Sequence, residues 1–111
     1  MQLRLISEKH ALLVSLEGEL DHHTANSVRE KIDTEIKRSN AKNIIFDFRK
    51  LNFMDSSGIG VIIGRYKVSK ILGGETIIFS PTNAVRRIIE MSGIHKIIKL
   101  ASSLDSALKL L

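Results

Sequence analysis

The sequence contains no cysteine and no tryptophan, and aromatic residues make up only 5% of its 111 positions. Without cysteine the chain can form neither a disulfide framework nor a thiolate site. This composition fits a protein of a reducing compartment. The scarcity of aromatic side chains, together with the lack of an RNA-binding or helix-turn-helix signature, argues against direct binding of nucleic acid.

Long apolar runs are also missing from the sequence. No stretch approaches the roughly 20 apolar residues that span a bilayer. The first ten residues carry Arg4, Glu8 and Lys9 where a secretory signal would have an uninterrupted hydrophobic segment. The sequence therefore predicts a soluble, cytoplasmic protein that makes no membrane contact.

Negative charge is scarcer than positive charge. The chain has 17 Lys and Arg residues against 12 Asp and Glu residues, which gives a formal net charge of +5. Such an excess favours acidic partners. The basic residues are scattered through every segment and form no dense cluster in the sequence, unlike those of a typical nucleic-acid-binding chain. We interpret the excess as solvated surface or as the complement of an acidic protein.

The hydrophobic pattern changes its period several times along the chain. Two short segments with alternating apolar residues open the sequence and predict an antiparallel hairpin. Helical periods then alternate with apolar, strand-like runs, in the order β-β-α-β-α-β-α-β-α. This order predicts an α/β fold with a mixed, mostly parallel sheet of four to five strands, an N-terminal antiparallel hairpin strand and about four helices. The length of 111 residues and the absence of a linker predict a single domain over residues 1–111.

Local signals predict where these elements begin and end. Lys9-His10 is predicted to form the hairpin turn. Ser80 is predicted to cap the third helix, with Pro81 at its first position, and Ser102 to cap the fourth. The predicted strands are residues 2–6, 11–16, 43–48, 76–79 and 96–100, and the predicted helices are residues 24–38, 55–72, 81–93 and 102–111.

The most informative segment is DSSGIG at residues 55–60, which follows a predicted strand and opens a helix. Loops at the carboxyl ends of parallel strands commonly hold the ligands of α/β proteins. The hydroxyls of Ser56 and Ser57 would lie beside unpaired amide groups at the positive end of the helix, where a phosphate is well tolerated. Gly58 and Gly60 would leave the first turn bare for a close approach by another protein. Each glycine costs about 1 kcal/mol of helix stability relative to alanine. This cost indicates that the bare surface has a use that compensates for it.

Two simpler interpretations of this segment stay open at the sequence level. In the first, Asp55 or Ser56 is a helix cap and has no role in binding. In the second, Ser57 is a buried or capping hydroxyl and not a second acceptor of phosphate. Ile59 lies in an apolar part of the helix whose side chains mostly belong to a core. Because Ile59 is close to the exposed first turn, we expect it to touch the partner.

An enzymatic or metal-binding role is the alternative of another class. A hydrolase could use Ser56 with His22 or His23 as its base, but the sequence contains no Gly-x-Ser-x-Gly elbow. The triplet Asp21-His22-His23 resembles part of a metallophosphoesterase site, yet no second group of ligands follows at suitable spacing. The sequence therefore predicts no catalytic residue, no metal and no cofactor.

Two segments carry a resemblance to a known family. GELDHHTA at residues 18–25 and FMDSSGIG at residues 53–60 resemble the STAS domain of anti-sigma factor antagonists. The resemblance extends over nearly the whole chain. Residues 20–24 are more similar to the sporulation members of this family than to its stress-response members.

The resemblance implies a partner-switching cycle. The unphosphorylated family member binds an anti-sigma factor that is also a serine kinase, and thereby releases the sporulation sigma factor. The kinase uses ATP to phosphorylate the first serine of the pair, here Ser56, and a dedicated serine phosphatase restores the free form. Asp55, Ser57 and Gly58 match the surrounding motif and would belong to the same interface, and Asp21 matches a position near the phosphorylated loop. We expect a monomer when the protein is free. An adaptor or antagonist in a general stress-response system is the alternative within the family.

Overall fold

A single five-stranded sheet forms the centre of the computed structural model, which describes residues 1–8 and 10–111. The first two strands are antiparallel and the later neighbours are parallel. This arrangement confirms the predicted α/β fold. In spatial order, which is also chain order, the strands are β1 (Gln2–Glu8), β2 (Ala11–Leu20), β3 (Asn43–Met54), β4 (Thr76–Phe79) and β5 (Lys99–Ala101).

The helices cover both faces of the sheet. They are α1 (Ala25–Ser39), α2 (Ser56–Ile71), α3 (Asn83–Ser92) and α4 (Leu104–Lys109), with a short 3-10 turn at Ile94–Lys96. Apolar residues of α1, α2 and α3 share one core with Leu12, Val14 and Phe46 of the sheet. The opposite face has a smaller core, in which Ala107 of α4 packs with Ile77 and neighbouring side chains. Strand β3 is apolar on both faces because both are covered.

The second and third strands are longer than predicted. Strand β2 continues to Leu20 because two irregularities in its pairing with β3 and a positive φ of 111° at Gly18 carry it past the predicted break. Strand β3 continues to Met54 because it stays paired with β2 to the end, where Leu20 lies opposite Met54. The two strands therefore end side by side. Asp21 and the DSSGIG segment begin at these two ends.

Several predicted boundaries are wrong by one to three residues, three of them at a cap or a turn. Thr82, not Ser80, caps α3, and its side chain accepts a hydrogen bond from the amide of Val85. Ser80 instead has a left-handed φ of 52° and donates its hydroxyl to the carbonyl of Ser102. Because the 3-10 turn occupies residues 94–96, β5 starts at residue 99. Ser103, not Ser102, caps α4. The predicted hairpin turn includes Lys9, which lies outside the described residues.

A salt bridge links α1 to the helix that carries the serine pair. The guanidinium Nε of Arg65 in α2 lies 3.0 Å from Oδ1 of Asp33 in α1, and only 8% of the Arg65 side chain is exposed. A buried guanidinium needs a nearby acid, because removal of that acid would leave an unpaired buried charge and lower the free energy of unfolding. The pair therefore helps to set the position of α2 against α1. No helix within residues 1–8 and 10–111 has the length and hydropathy of a membrane span.

Candidate functional site

Two loops meet at the carboxyl ends of β2 and β3. The amide of Asp55, which follows β3, donates to the carbonyl of Leu20 at the end of β2 over 3.3 Å. Asp21 to Thr24 turn directly from β2 into α1, and Asp55 leads into α2. The parallel pairing of the strands thus brings together segments that are more than thirty positions apart in the sequence.

Asp55 is the N-cap of α2. Its backbone is extended, and its Oδ1 accepts the amides of Ser57 at 2.8 Å and Gly58 at 3.4 Å. Of the two caps left open by the sequence, the structure therefore selects Asp55. Capping satisfies amides that would otherwise lack partners in the first turn. The prediction that first-turn amides are free for a phosphate is therefore wrong for the amides of Ser57 and Gly58.

The other carboxylate oxygen of Asp55 holds the β2–α1 loop. Oδ2 accepts the backbone amide of His22 at 3.3 Å and lies 3.8 Å from Nδ1 of the same residue. Partial burial alone would raise the pKa of Asp55, but the hydrogen bonds from Ser57, Gly58 and His22, together with the nearby imidazole, lower it overall. Asp55 is therefore an anion that ties the start of α2 to the neighbouring loop.

The two serines have different surroundings. Ser56 is the first residue of α2 and is exposed, whereas Ser57 is half-buried. In the part of the chain that the structure describes, the Ser56 hydroxyl takes part in no hydrogen bond. Because Asp55 performs the capping, the Ser56 side chain is available to solvent and to other proteins.

The two glycines of the first turn also differ. A Cβ on Gly58 would overlap with the side chain of Met54 and would lie 2.8 Å from the carbonyl oxygen of Leu20. A Cβ on Gly60 would meet nothing within 4 Å. The predicted bare surface is therefore wrong for Gly58, which is buried because α2 packs closely on the strand ends. The open surroundings of Gly60 agree with the prediction.

Ile59 lies in the core instead of on the surface. Only 9% of the residue is exposed, and it packs in the cluster shared by α1, α2 and α3. The expected contact between Ile59 and a partner does not fit this conformation. Ser56 and Ile59 are three positions apart and lie on the same side of α2; Ser56 is exposed because it is the first residue of the helix, whereas Ile59 is one turn further in and reaches the core.

Asp21 shapes the neighbouring loop. Its Oδ1 accepts the amides of His23 at 2.9 Å and Thr24 at 3.3 Å. The hydroxyl of Thr24 in turn donates to the carbonyl of Glu19 over 3.0 Å. These bonds fold the loop so that the amide of His22 reaches Asp55. The structure thus brings Asp21 into the same assembly as the serine pair, through His22.

His22 is the feature of the site that the sequence did not identify. Its ring packs on that of His23 with centroids 3.8 Å apart, and 69% of its side chain is exposed. In the sequence the two histidines were considered only as the base of a hydrolase and as part of a metal-site triplet, not as a partner of Asp55. The available signal was the placement of DHH and DSS after two successive parallel strands, since such strand ends share one edge of a sheet.

Other chemistry finds little support around this site. No group of three or more His, Cys, Asp or Glu residues that could hold a metal ion occurs within residues 1–8 and 10–111. A cavity of about 570 Å³ lies across β1, β2 and β3, and Asp47, Arg49 and Lys50 are among its lining residues. Neither the serine pair nor the histidines line it.

Replacement of Asp55 tests the cap. We expect Asp55→Ala to lower the free energy of unfolding by about 1 kcal/mol, because two helix amides lose their acceptor. Asp55→Asn keeps an acceptor and serves as the matched control. Since folding lowers the pKa of Asp55, its charge stabilises the fold fully above the ordinary aspartate pKa of about 3.9 and loses this effect as the pH falls through the lowered value. Urea unfolding between neutral and acidic pH should show this extra loss in the wild type and not in Asp55→Asn.

Comparison with known proteins adds a relationship to this geometry. The model of the STAS domain family matches residues 2–107. The chain is 42% identical over 110 residues to the anti-sigma F factor antagonist of Paenibacillus polymyxa. The matched region covers 97% of this chain and 94% of that relative. The fold of this chain is similar to that of the anti-sigma factor antagonist SpoIIAA in its unphosphorylated form, with a TM-score of 0.84 and 32% identity. The match covers 98% of this chain and 96% of SpoIIAA. The phosphorylated form of SpoIIAA, a Bacillus cell fate determinant, is similar with a TM-score of 0.76, 31% identity and coverage of 99% and 100%.

Proposed function

The chain belongs to the STAS family and is an anti-sigma factor antagonist, and on this premise we propose that phosphorylation of Ser56 switches its binding to an anti-sigma factor. The observation that carries the proposal is the exposed Ser56 hydroxyl at the start of α2, left free because Asp55 caps the helix. The similarity to SpoIIAA in both its unphosphorylated and its phosphorylated form supports a switch of this kind.

Local charge and bulk explain how the switch works. A phosphoserine carries about −1.5 to −2 charges at neutral pH. At Ser56 this charge would lie beside the Asp55 carboxylate, which already takes the amides of Ser57 and Gly58. The phosphate therefore finds these two amides occupied and adds negative charge to the exposed surface around Ser56. A partner surface fitted to a small hydroxyl would meet both bulk and a concentrated negative charge.

The fold should not change on phosphorylation. Ser56 is exposed, so a phosphoryl group can be added without unpacking the core. The contacts offered to the anti-sigma factor in the unphosphorylated state are Ser56, the half-buried Ser57, Asp55 and Asp21, together with the bare helix surface at Gly60. Gly58 supports this surface from below by allowing close packing.

The cycle needs two enzymes besides this chain. The anti-sigma factor acts as the serine kinase and transfers a phosphoryl group from ATP to Ser56. A serine phosphatase removes the phosphate. The chain itself acts as a monomeric, cytoplasmic single domain without catalysis, metal or cofactor, and without direct contact to nucleic acid or membrane. The 42% identity to the anti-sigma F factor antagonist of Paenibacillus polymyxa favours the sporulation sigma factor as the one released.

A displacement experiment tests this function. The chain is added to a preformed complex of an anti-sigma F factor with its sigma factor, and the released sigma factor is measured by size-exclusion chromatography. We expect release by the unphosphorylated protein and none by the protein phosphorylated at Ser56. The same assay with an anti-sigma B factor complex tests the stress-response alternative. Release only from the sigma B complex would move the protein to that pathway, and equal release by the phosphorylated form would contradict the switch.

A further inference from the structure

A phosphate on Ser56 would lie beside a carboxylate and beside two helix amides that are already bound. The amides of Ser57 and Gly58 are bound to Oδ1 of Asp55, and Asp55 is itself an anion next to the phosphorylated residue. Two neighbouring anions of this kind repel each other unless a cation lies between or beside them. The cation has to be close to Asp55, since Ser56 follows it directly in the chain.

The side chain that meets this requirement is an imidazole. Nδ1 of His22 lies 3.8 Å from Oδ2 of Asp55, and this is the ion-pair contact that the described residues offer to Asp55. The position of the ring is defined on two sides, because the His22 backbone amide is bound to Asp55 and its ring packs on His23. At the same time 69% of the side chain is exposed, so it can turn towards a group on Ser56 without disturbing the core.

From this arrangement we infer that His22, in its protonated form, is the counter-ion of phosphorylated Ser56. The inference rests on the proposed phosphorylation of Ser56 and adds the residue that stabilises the phosphorylated state. His22 donates from an imidazolium N–H to a phosphoryl oxygen, while its backbone amide keeps Asp55 in place. The phosphoryl group is thereby held between α2 and the β2–α1 loop.

This pairing makes the phosphorylated state sensitive to pH. Imidazole changes charge close to neutral pH, and the second ionisation of phosphoserine falls near pH 6. Two groups of these kinds in contact exchange protons as a coupled pair. The charged and titratable groups that face His22 are Asp55 at the start of α2 and Asp21 and His23 in its own loop.

The experiment uses the full chain with phosphoserine installed at position 56 during its synthesis, so that it does not depend on a kinase. The second ionisation of the phosphate is followed by 31P NMR as a function of pH. We expect its midpoint to lie about half a pH unit lower in the wild type than in His22→Gln, because an exposed ion pair stabilises the dianion modestly. His22→Lys, which keeps a positive charge, should restore the low midpoint.

His95→Gln is the matched control, because it removes an exposed histidine from the 3-10 turn after α3. It should leave the midpoint at the wild-type value. Equal midpoints in the wild type, His22→Gln and His22→Lys would overturn the inference. This outcome is independent of the proposed function, whose failure appears in the displacement experiment as equal release by the phosphorylated and unphosphorylated proteins.

Discussion

Ser56→Ala is expected to take up no phosphate from the anti-sigma factor kinase, whereas the wild type takes up one. The hydroxyl of Ser56 is the acceptor because it is exposed at the start of α2 and is not used as a cap. Its neighbour is less suited to the reaction. Ser57 is half-buried, and its backbone amide is fixed to Asp55 over 2.8 Å.

The measurement is intact-protein mass spectrometry after incubation with the kinase and ATP. Ser57→Ala is the matched control, since it removes the adjacent hydroxyl from the same turn and should still accept one phosphate. Loss of the phosphate in Ser57→Ala with retention in Ser56→Ala would reverse the assignment. No phosphate on the wild type would make the protein a constitutive binder, and the exposed hydroxyl of Ser56 would lose its proposed role.

The same variant has a second consequence for binding. Because Ser56→Ala cannot be phosphorylated, it should continue to hold the anti-sigma factor in the presence of ATP, when the wild type is progressively released. Removing one exposed hydroxyl leaves the Asp55 cap and the core unchanged, so the thermal stability of Ser56→Ala should match that of the wild type. A loss of binding without ATP would show that the hydroxyl itself is an essential contact.

Gly58→Ala should lower the stability of the fold although it removes no contact. An added Cβ would overlap with Met54 and would approach the carbonyl oxygen of Leu20 to 2.8 Å. The Met54 side chain can turn away, but the Leu20 carbonyl is backbone and accepts the amide of Asp55. Overpacking of this kind typically costs about 1–3 kcal/mol. Relief of the overlap would also push the start of α2 away from the loop that contains His22.

Gly60→Ala is the matched control for this substitution. It lies two residues further along the same helix, and an added Cβ would meet nothing within 4 Å. Alanine is favoured over glycine in a helix by about 1 kcal/mol, so Gly60→Ala should be more stable than the wild type. Urea unfolding measures both variants. Equal effects of the two substitutions would contradict the steric explanation.

The same pair separates stability from binding. If the bare surface at Gly60 is covered by the anti-sigma factor, Gly60→Ala should bind more weakly although it is more stable. Isothermal titration calorimetry with the unphosphorylated proteins gives the affinity directly. Unchanged affinity would restrict the interface to the serine pair and the adjacent loop.

Much of the fold could be predicted from local patterns. The change from strand-like to helical period predicted the element order, and the range of β4 at residues 76–79 agrees with the structure. The start of α2 and the end of α3 at Gly93 were also predicted correctly, because capping by a short acid and by a left-handed glycine depends on residues next to each other in sequence. The DSSGIG segment itself, and its place after a parallel strand, needed no tertiary information.

Tertiary structure decided what that segment presents to a partner. Pairing between β2 and β3 determined that the strands end together, and thereby that the His22 amide binds Asp55. Close packing of α2 on these strand ends buried Gly58. The same packing buried Ile59 in the core and left Ser56, the first residue of the helix, in solvent. These outcomes depend on contacts between residues distant in sequence, whose register and steric fit a local pattern does not contain.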